Sequence, residues 1–242
     1  MKVTLEIGHG PYIDRNGFSG FEKGVEGNGT TEYDEVVVMA ELIRRNLQNR
    51  GHAVEVLDPQ ETLFNIGQRA TGDVFVSLHL NAFNGSVQGS EVLIHRNGTP
   101  EDFNLGTALQ RSIVRNLGLN DRGVKRQGLA VLAGVPLTVK AACLTEPFFV
   151  DAVNSATARR YTEKAANAIA DGIIDYGLDS GLISSSSDSK PLPPPVFDRP
   201  FQLRNVAKYY KGLTHQRASL DWLQDRLDDS TVREFIRRWR NQ

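Results

Sequence analysis

Residues 73–80 read DVFVSLHL, the most apolar strand-like segment of the chain, and they decide the fold. Strand-like and helix-like segments alternate on both sides of this stretch. The other strand-like segments cover residues 3–7, 53–57, 90–95 and 141–149. Amphipathic helices are predicted over residues 32–49, 62–70, 101–117 and 155–177. Strands separated by helices at this pitch predict an α/β fold, in which a mostly parallel sheet is flanked by helices on both faces.

The helix predicted over residues 32–49 rests on the spacing of its apolar residues. They recur every three or four positions, which places them on one face of a helix. These residues are Val36, Met39, Ala40, Ile43 and Leu47. Gly51 follows where a glycine commonly ends a helix.

The body of the chain, residues 1–180, is followed by segments of different composition. Residues 184–195 read SSSSDSKPLPPP, which cannot build a core, and we therefore assign residues 181–199 to a linker. Residues 200–242 carry two leucine-rich or aromatic stripes and are predicted to form a small all-helical C-terminal module. Residues 201–242 hold nine Lys/Arg against five Asp/Glu, whereas the first 200 residues hold 19 against 24. The tail is therefore basic and the body acidic.

The composition excludes several classes of protein. With 40% hydrophobic and 24% charged residues among 242, the chain is globular rather than disordered, collagen-like or coiled-coil. It has no run of about 18 uncharged apolar residues, so we expect no membrane span. The single cysteine, Cys143, excludes an intramolecular disulfide framework and a zinc site made of several cysteines. The acidic body and the lack of a recognised motif in the tail argue against a nucleic-acid partner.

Two of the five histidines follow predicted strands. His9 comes directly after the first strand, between Gly8 and Gly10, and His79 lies at the carboxyl end of the segment 73–80. In an open α/β sheet, ligands bind outside the carboxyl ends of the parallel strands. We therefore expect His9 and His79 to share a metal ion at that edge, although a turn or core histidine would fit the same spacing.

Two acidic residues are candidates to complete such a site. A hydrolytic zinc site has three nitrogen or oxygen ligands and one open position. Glu32 begins the first long helix and would face the same edge, although a helix N-terminal acid is the simpler explanation of Glu32 alone. Glu146 lies late in the apolar segment 141–149, where a buried carboxyl must be paired or functional.

The order and spacing of six motifs resemble one known family. The catalytic domain of zinc-dependent N-acetylmuramoyl-L-alanine amidases, the amidase_3 group, is similar over residues 1 to about 178. The matching motifs are Gly8-His9-Gly10, Glu32-Tyr33-Asp34, Ser77-Leu78-His79-Leu80-Asn81-Ala82, Gly89-Ser90-Glu91, Arg122-Gly123-Val124-Lys125 and Leu144-Thr145-Glu146.

The resemblance implies a reaction and its site. It implies that His9, Glu32 and His79 bind Zn²⁺ and that Glu146 is the catalytic acid/base. The expected enzyme is a peptidoglycan hydrolase that cuts the amide bond between N-acetylmuramic acid and L-alanine. Zinc would lower the pKa of bound water and polarise the substrate carbonyl. Glu146 would take the water proton and pass it to the leaving amine.

The chain departs from the family pattern at three places. Residues 11–14 lack the family's glycine-rich continuation after the first histidine, and residues 147–151 differ from its usual sequence after the catalytic Glu. Some members carry an inserted helix that plugs the zinc site. About a dozen residues separate His79 from Glu91, too few for such a helix and its connections. We therefore expect an enzyme without that form of autoinhibition.

Two other functions fit the same residues. One is a zinc peptidase that acts on the stem peptides of the wall, and the other is a non-catalytic wall-binding or assembly protein. The aromatic residues and net charge of residues 200–242 suit either a cell-wall polymer or a partner protein, while a small helical core would explain them equally well. Met1-Lys2-Val3 runs into the first strand without a secretory signal. We expect synthesis in the cytoplasm and action on the wall or periplasm after release by lysis or effector delivery, unless a native signal has been trimmed.

Overall fold

A computed structural model of the protein describes residues 1–14, 16–58 and 61–184. Within these ranges the strands are β1 (Lys2–Ile7), β2 (Gly10–Ile13), β3 (Ser19–Glu22), β4 (Glu26–Gly27), β5 (Thr30–Thr31), β6 (Ala53–Leu57), β7 (Val74–Leu78), β8 (Ser90–His95), β9 (Asp121–Gln127) and β10 (Ala141–Glu146). The helices are α1 (Glu32–Asn49), α2 (Leu63–Gln68), α3 (Pro100–Leu117), α4 (Ala130–Gly134) and α5 (Ser155–Asp179). Residues 185–199 of the linker predicted over residues 181–199, and the whole module predicted over residues 200–242, lie outside the described residues.

Six strands form the main sheet, in the order β6-β1-β7-β10-β8-β9. β1 pairs in parallel with β6 and β7, and β7 pairs in parallel with β10. β8 runs antiparallel to β10, and β9 runs parallel to β8. The predicted mostly parallel sheet is confirmed, and its last two strands run against the other four.

Helices cover both faces of the sheet, as predicted. Successive side chains of a strand point to opposite faces, and β7 shows this clearly. Val74, Val76 and Leu78 pack in the larger core, which includes the apolar faces of α1, α3 and α5. Phe75 packs in a smaller core with residues of α2 and α4. The apolar run in residues 73–80 therefore serves two cores at once.

The first long helix has the bounds predicted for it, and its predicted apolar stripe is buried. Thr31 caps its N-terminus, because the Thr31 hydroxyl accepts the backbone N–H of Asp34 at 3.1 Å. A cap at Thr31 starts the helix at Glu32. None of the helices in the described ranges combines the length and apolar character that crossing a bilayer would need.

Three neighbouring parallel strands end at one edge of the sheet. β1 ends at Ile7, β7 at Leu78 and β10 at Glu146. His9 and His79 follow the first two of these ends within two residues. This edge, where α1 also begins, is the place at which ligands bind in open α/β sheets.

Candidate metal centre

Glu32 lies between the two histidines. Its Oε2 is 3.1 Å from His9 Nε2, and its Oε1 is 3.0 Å from His79 Nδ1. Oε1 also accepts the backbone N–H of Leu80 at 2.9 Å, and Oε2 accepts that of Val25 at 3.2 Å. The whole residue is 2% exposed. The carboxylate is therefore buried with partners on both oxygens, and it fixes the two rings beside each other.

The backbone around this cluster permits an unusually close approach. His9 has φ +65°, in the left-handed region that residues with a Cβ seldom occupy. A Cβ at Gly8 would lie 2.5 Å from His79 Nε2, and a Cβ at Gly24 would lie 2.6 Å from Glu32 Oε2. Only glycine at positions 8 and 24 leaves the cluster its space.

The cluster has a donor set suited to a metal ion. His9, Glu32 and His79 each offer one ligand atom, and these atoms lie within 4.8 Å of one another. Two imidazole nitrogens and one carboxylate oxygen are typical of hydrolytic zinc sites, which leave a fourth position open. The structure thus brings together the three residues named from the sequence. Their role as metal ligands stays a prediction.

Burial and charge act against each other in this cluster. Burial alone would raise the pKa of Glu32, but hydrogen bonds to His79 and His9 outweigh it and lower that pKa to about 2. Burial alone would lower the pKa of His79, but the hydrogen bond to Glu32 and nearby carboxylates, Glu146 first among them, raise it to about 9. The carboxylate is therefore ionised across the neutral range, and His79 favours its protonated form, so that a metal ion bound by His79 would have to displace that proton.

Glu146, the last residue of β10, lines the same cleft as these three residues. Its Oε2 is buried and has no hydrogen-bond partner among the described residues. Burial is the main cause that raises the pKa of Glu146, to about 8, and the charges of Glu32 and Glu91 add to it. A buried carboxyl without a partner on one oxygen is costly unless it has a function. Its pKa lies near neutrality, as proton transfer by a side chain requires.

A second carboxylate, Glu91, lies beside Glu146, and it was predicted only as part of a motif. Glu91 Oε2 accepts hydrogen bonds from Arg122 Nε and Lys125 Nζ, both at 2.6 Å, and its Oε1 accepts one from Asn81 Nδ2 at 3.0 Å. Burial opposes ionisation of Glu91, but the two cations outweigh it and lower its pKa. The signal that would have found this group is the pairing of β8 with β9, which the sequence did not predict.

The cleft that contains these residues has a volume of about 850 Å³. β2 and β3 form one wall, and Tyr12 and Ile13 line it. At the end of β3, Glu22 Oε1 lies 3.4 Å from His9 Nδ1, a contact that sequence patterns could not reveal. Residues 81–89, which lead from the motif that contains His79 to the motif that contains Glu91, contain bends and no helix.

The sequence matches the Amidase_3 family, described as N-acetylmuramoyl-L-alanine amidase, over residues 3–175. Among curated proteins, it is 28% identical to the N-acetylmuramoyl-L-alanine amidase LytC of Bacillus subtilis over 187 residues, which are 72% of this chain and 35% of LytC. It is also 28% identical to YqiI of Bacillus subtilis over 177 residues, covering 68% of this chain and 83% of YqiI. A cell wall amidase of Bacillus anthracis matches at 28%, again over 35% of its length. The chain thus spans about a third of two of these relatives.

The same fold occurs in solved amidase structures. An N-acetylmuramoyl-L-alanine amidase from Clostridium difficile 630 superposes with a TM-score of 0.60 at 23% identity, covering 74% of this chain and 97% of that one. The catalytic domain of CwlV from Paenibacillus polymyxa gives a TM-score of 0.60 at 23% identity, covering 72% and 97%. These likenesses establish the fold. Because the family match extends over most of the chain, the protein belongs to the Amidase_3 family.

Proposed function

We propose that the protein is a peptidoglycan hydrolase that cleaves the amide bond between N-acetylmuramic acid and L-alanine. One observation carries the proposal. A buried carboxyl, Glu146, has one oxygen without a hydrogen-bond partner in the part of the chain that the structure describes, and it shares a cleft with the histidine–glutamate cluster of His9, Glu32 and His79. Family membership supports the same reaction, since the family is described by that activity.

We propose that His9, Glu32 and His79 hold Zn²⁺. The donor set fits this ion because two nitrogens and one carboxylate oxygen leave a position open for the reacting groups. When bound, zinc supplies a Lewis acid that polarises the scissile carbonyl and lowers the pKa of water. Glu32 keeps its negative charge at neutral pH, because its pKa is about 2, and therefore offsets part of the charge of the ion.

Glu146 carries the proton transfers in the proposed reaction. Its carboxylate removes a proton from the attacking water while the new C–O bond forms at the lactyl carbonyl. The same group then gives that proton to the alanine nitrogen as the C–N bond breaks. The products are a lactyl carboxylate on the sugar and a stem peptide with a free L-alanine amine. Burial raises the pKa of Glu146 to about 8, and the positive charge of a bound zinc ion would lower this pKa and favour the ionised form at neutral pH.

Digestion of purified peptidoglycan tests this function. Wild type and Glu146→Gln are incubated with the wall, with and without a chelator, and the products are read by mass spectrometry. We expect stem peptides with a free L-alanine amine from wild type alone, and loss of these products with the chelator. Glu163→Gln, an exposed change on α5, is the matched control and should cut like wild type.

The other outcomes point to the alternative functions. Cleavage at stem-peptide bonds with an intact lactyl–alanine bond would identify a peptidase on the same scaffold. Binding to the wall without any cleavage would identify a non-catalytic wall-binding protein. Either result contradicts the proposed amidase.

We also propose that residues 200–242 target the enzyme to its substrate, through a wall polymer or a partner protein. The support is their composition, nine Lys/Arg and several aromatic residues. The proposed place of action is the cell wall or periplasm. Trp222→Ala and Trp239→Ala in the full chain should reduce co-sedimentation with intact walls and leave cleavage of small soluble substrates unchanged. Equal sedimentation of the variants and wild type would contradict a targeting role for these aromatic residues.

A further inference from the structure

The hairpin formed by β2 and β3 presents large apolar side chains to solvent. Tyr12 is 42% exposed, Ile13 47%, Phe18 71% and Phe21 55%. Residues 10–13 and 18–21 carry no charged side chain. A single exposed apolar residue is ordinary, but four on one short hairpin are a concentration of apolar surface of the kind that marks sites of interaction. The register of β2 and β3 places Tyr12 on one face of the hairpin and Ile13 and Phe21 on the other. We call these four residues the hairpin patch.

Local contacts hold the hairpin patch in position. The Tyr12 ring lies against Gly20, where an added Cβ would come within 2.6 Å of Tyr12 Oη. The Phe21 ring meets the Tyr33 ring of α1 edge to face, with centroids 5.0 Å apart. The patch is therefore ordered before any ligand binds, which lowers the entropic cost of binding.

Hydrogen bonds also connect Asp14, Asn16 and Phe18, between β2 and β3. Asp14 Oδ1 accepts the backbone N–H groups of Asn16 at 2.8 Å and Phe18 at 2.9 Å. The backbone N–H of Asp14 donates in turn to the carbonyl of Phe18 at 2.9 Å. These bonds hold the backbone of Phe18, the most exposed of the four apolar residues, against Asp14.

The hairpin patch is continuous with the metal centre. His9 immediately precedes β2, and Glu22, the last residue of β3, contacts the His9 ring at 3.4 Å. Tyr12 and Ile13 line the same cleft as His9 and Glu146. A molecule bound in this cleft therefore extends over the hairpin on one side.

The two sides of the cleft differ in charge. Glu91 with Arg122 and Lys125 forms an ionic group on the β8–β9 side. On the hairpin side, Tyr12 and Ile13 line the cleft together with the acidic residues Asp14 and Glu22. These two acids would repel the carboxylates of a peptide stem. A pyranose ring has an apolar face of C–H groups that packs on aromatic rings, whereas a peptide stem carries carboxylates and amides. The hairpin therefore suits the sugar part of a glycopeptide better than its peptide part.

We propose that the hairpin patch binds the glycan strand of the substrate, as a chain of N-acetylated hexosamines. This inference rests on the proposed function, because that function places the lactyl carbonyl at the metal centre. The lactyl group is attached directly to a sugar ring, so that ring must lie beside the metal centre when the bond is cut. Tyr12, which lines the cleft, supplies a ring for that sugar, and Phe18, which follows in the same hairpin but lies outside the lining of the cleft, supplies a ring for a neighbouring sugar.

Binding to glycan strands that carry no stem peptides tests the inference without any catalysis. The probe is a purified oligomer of alternating N-acetylglucosamine and N-acetylmuramic acid, titrated calorimetrically into the full chain with Glu146→Gln. In this background, Tyr12→Ala combined with Phe18→Ala should weaken binding about tenfold, given the energy of aromatic stacking contacts. Tyr12→Phe keeps the ring and should bind like the parent.

Phe103→Ala is the matched control, because Phe103 is 46% exposed on α3 and does not line the cleft. Its glycan affinity should equal that of the parent. Should Tyr12→Ala perturb folding, Phe18→Ala alone decides, since Phe18 is mostly exposed. The inference would be overturned if the variants bound the glycan with the same Kd as the control. It would also be overturned if Phe18→Ala changed the oligomeric state of the protein in solution, because the patch would then be a contact between copies of this chain.

The two proposals fail in different ways. The amidase proposal fails if wild type does not cleave the lactyl–alanine bond. The glycan proposal fails if the calorimetry shows no weaker binding in the hairpin variants. This measurement uses the inactive Glu146→Gln background throughout, so it does not depend on cleavage. A third measurement links them: Phe18→Ala should raise KM for polymeric wall and leave kcat unchanged, whereas a KM equal to that of wild type would contradict glycan binding at the hairpin.

Discussion

Glu146 lies directly opposite Glu91 across the antiparallel pair of β10 and β8. Like charges that face each other across a pair of strands repel. Arg122 and Lys125 offset this repulsion, because both donate to Glu91 at 2.6 Å. The second carboxylate therefore stays ionised and raises the pKa of Glu146 through its charge, next to the larger effect of burial. Glu91, which was predicted only as part of a motif, thus affects the pKa of the proposed base, Glu146.

The substitution Glu91→Gln should lower the pKa of Glu146. Removal of the negative neighbour leaves Arg122 and Lys125 without their carboxylate, and both changes favour the ionised form of Glu146. The acid limb of the pH profile of kcat/KM should move to lower pH by at least about a few tenths of a pH unit. Glu163→Gln, exposed on α5, should leave the profile in place. A shift toward higher pH would show that Glu91 acts otherwise.

Metal binding and proton transfer should separate between two variants. His79→Ala removes a ligand and should lose zinc, while Glu146→Gln should keep it and lose activity by at least about 10²-fold, the lower end for general acid–base catalysis. Zinc content by mass spectrometry after gel filtration measures the first effect, and product release measures the second. Loss of metal from Glu146→Gln would make Glu146 a ligand instead.

Gly24→Ala should damage the metal centre through geometry alone. The new methyl group would lie 2.6 Å from Glu32 Oε2 and 2.7 Å from His9 Cδ2, and φ is +66°. Gly17→Ala is the matched control: its φ is +81°, and apart from the two adjacent residues no described residue has an atom within 4 Å of the added Cβ. Both variants carry backbone strain of the order of 1 kcal/mol, but only Gly24→Ala should weaken zinc binding. Equal zinc affinity in the two variants would show that the cluster tolerates the clash.

Sequence patterns were sufficient for the elements that carry a strong apolar period. Residues 73–80 predicted the central strand, and the stripe in residues 32–49 predicted α1 with its bounds, because burial of a whole face leaves a periodic trace. β9 leaves none: it reads DRGVKRQ and lies at the edge of the sheet. The five residues of α4 are too few for a helical period.

The residues of the candidate site likewise divide into those that the sequence pattern predicts and those that it does not. His9, Glu32, His79 and Glu146 could be named because strand ends and a helix start are readable in the sequence. The contact of Glu22 with His9 could not, since it depends on the fold of a hairpin whose strands pair over only four residues. Contacts set by tertiary approach leave no local periodicity to read.

Stability of the metal-free protein should fall as the pH rises. The pKa of His79 is raised from 6.5 to about 9, so the stabilisation by its Glu32 partner is complete below about pH 6.5 and lost on passing pH 9. Burial raises the pKa of Glu146 from 4.5 to about 8, which favours the protonated folded form and acts in the same direction. Urea unfolding at pH 6.5, 8 and 9 with a chelator measures the trend.

Added zinc should reverse this dependence. Ligand histidines must be neutral to bind, so protons compete with the ion and affinity rises with pH. The increase in the free energy of unfolding on adding zinc should therefore be larger at pH 8 than at pH 6.5. His52→Ala, a change in a turn beyond α1, should keep both trends. A zinc effect that shrinks with rising pH would contradict a histidine-based site.

Another buried carboxylate supports the fold one helical turn beyond the proposed metal ligand Glu32. Glu35 is 1% exposed. Its Oε1 accepts hydrogen bonds from Thr30 Oγ1 at 2.9 Å and Arg159 Nη2 at 3.0 Å, and its Oε2 accepts one from Thr162 Oγ1 at 2.8 Å. These bonds tie the first turn of α1 to α5 and to the segment before α1. They therefore support the start of the helix that carries Glu32.

Glu35→Ala should lower the free energy of unfolding by about 2–3 kcal/mol, because it leaves buried hydroxyl donors and a guanidinium without their acceptor. Asp175→Ala is the control: it removes an exposed ion pair with Arg111, at 3.4 Å, and should cost less than about 1 kcal/mol. Urea denaturation of zinc-loaded protein at pH 7 compares the two. Similar losses would mean that the contacts of Glu35 contribute no more than a surface pair, and that packing of α1 on α5 by itself keeps Glu32 in place.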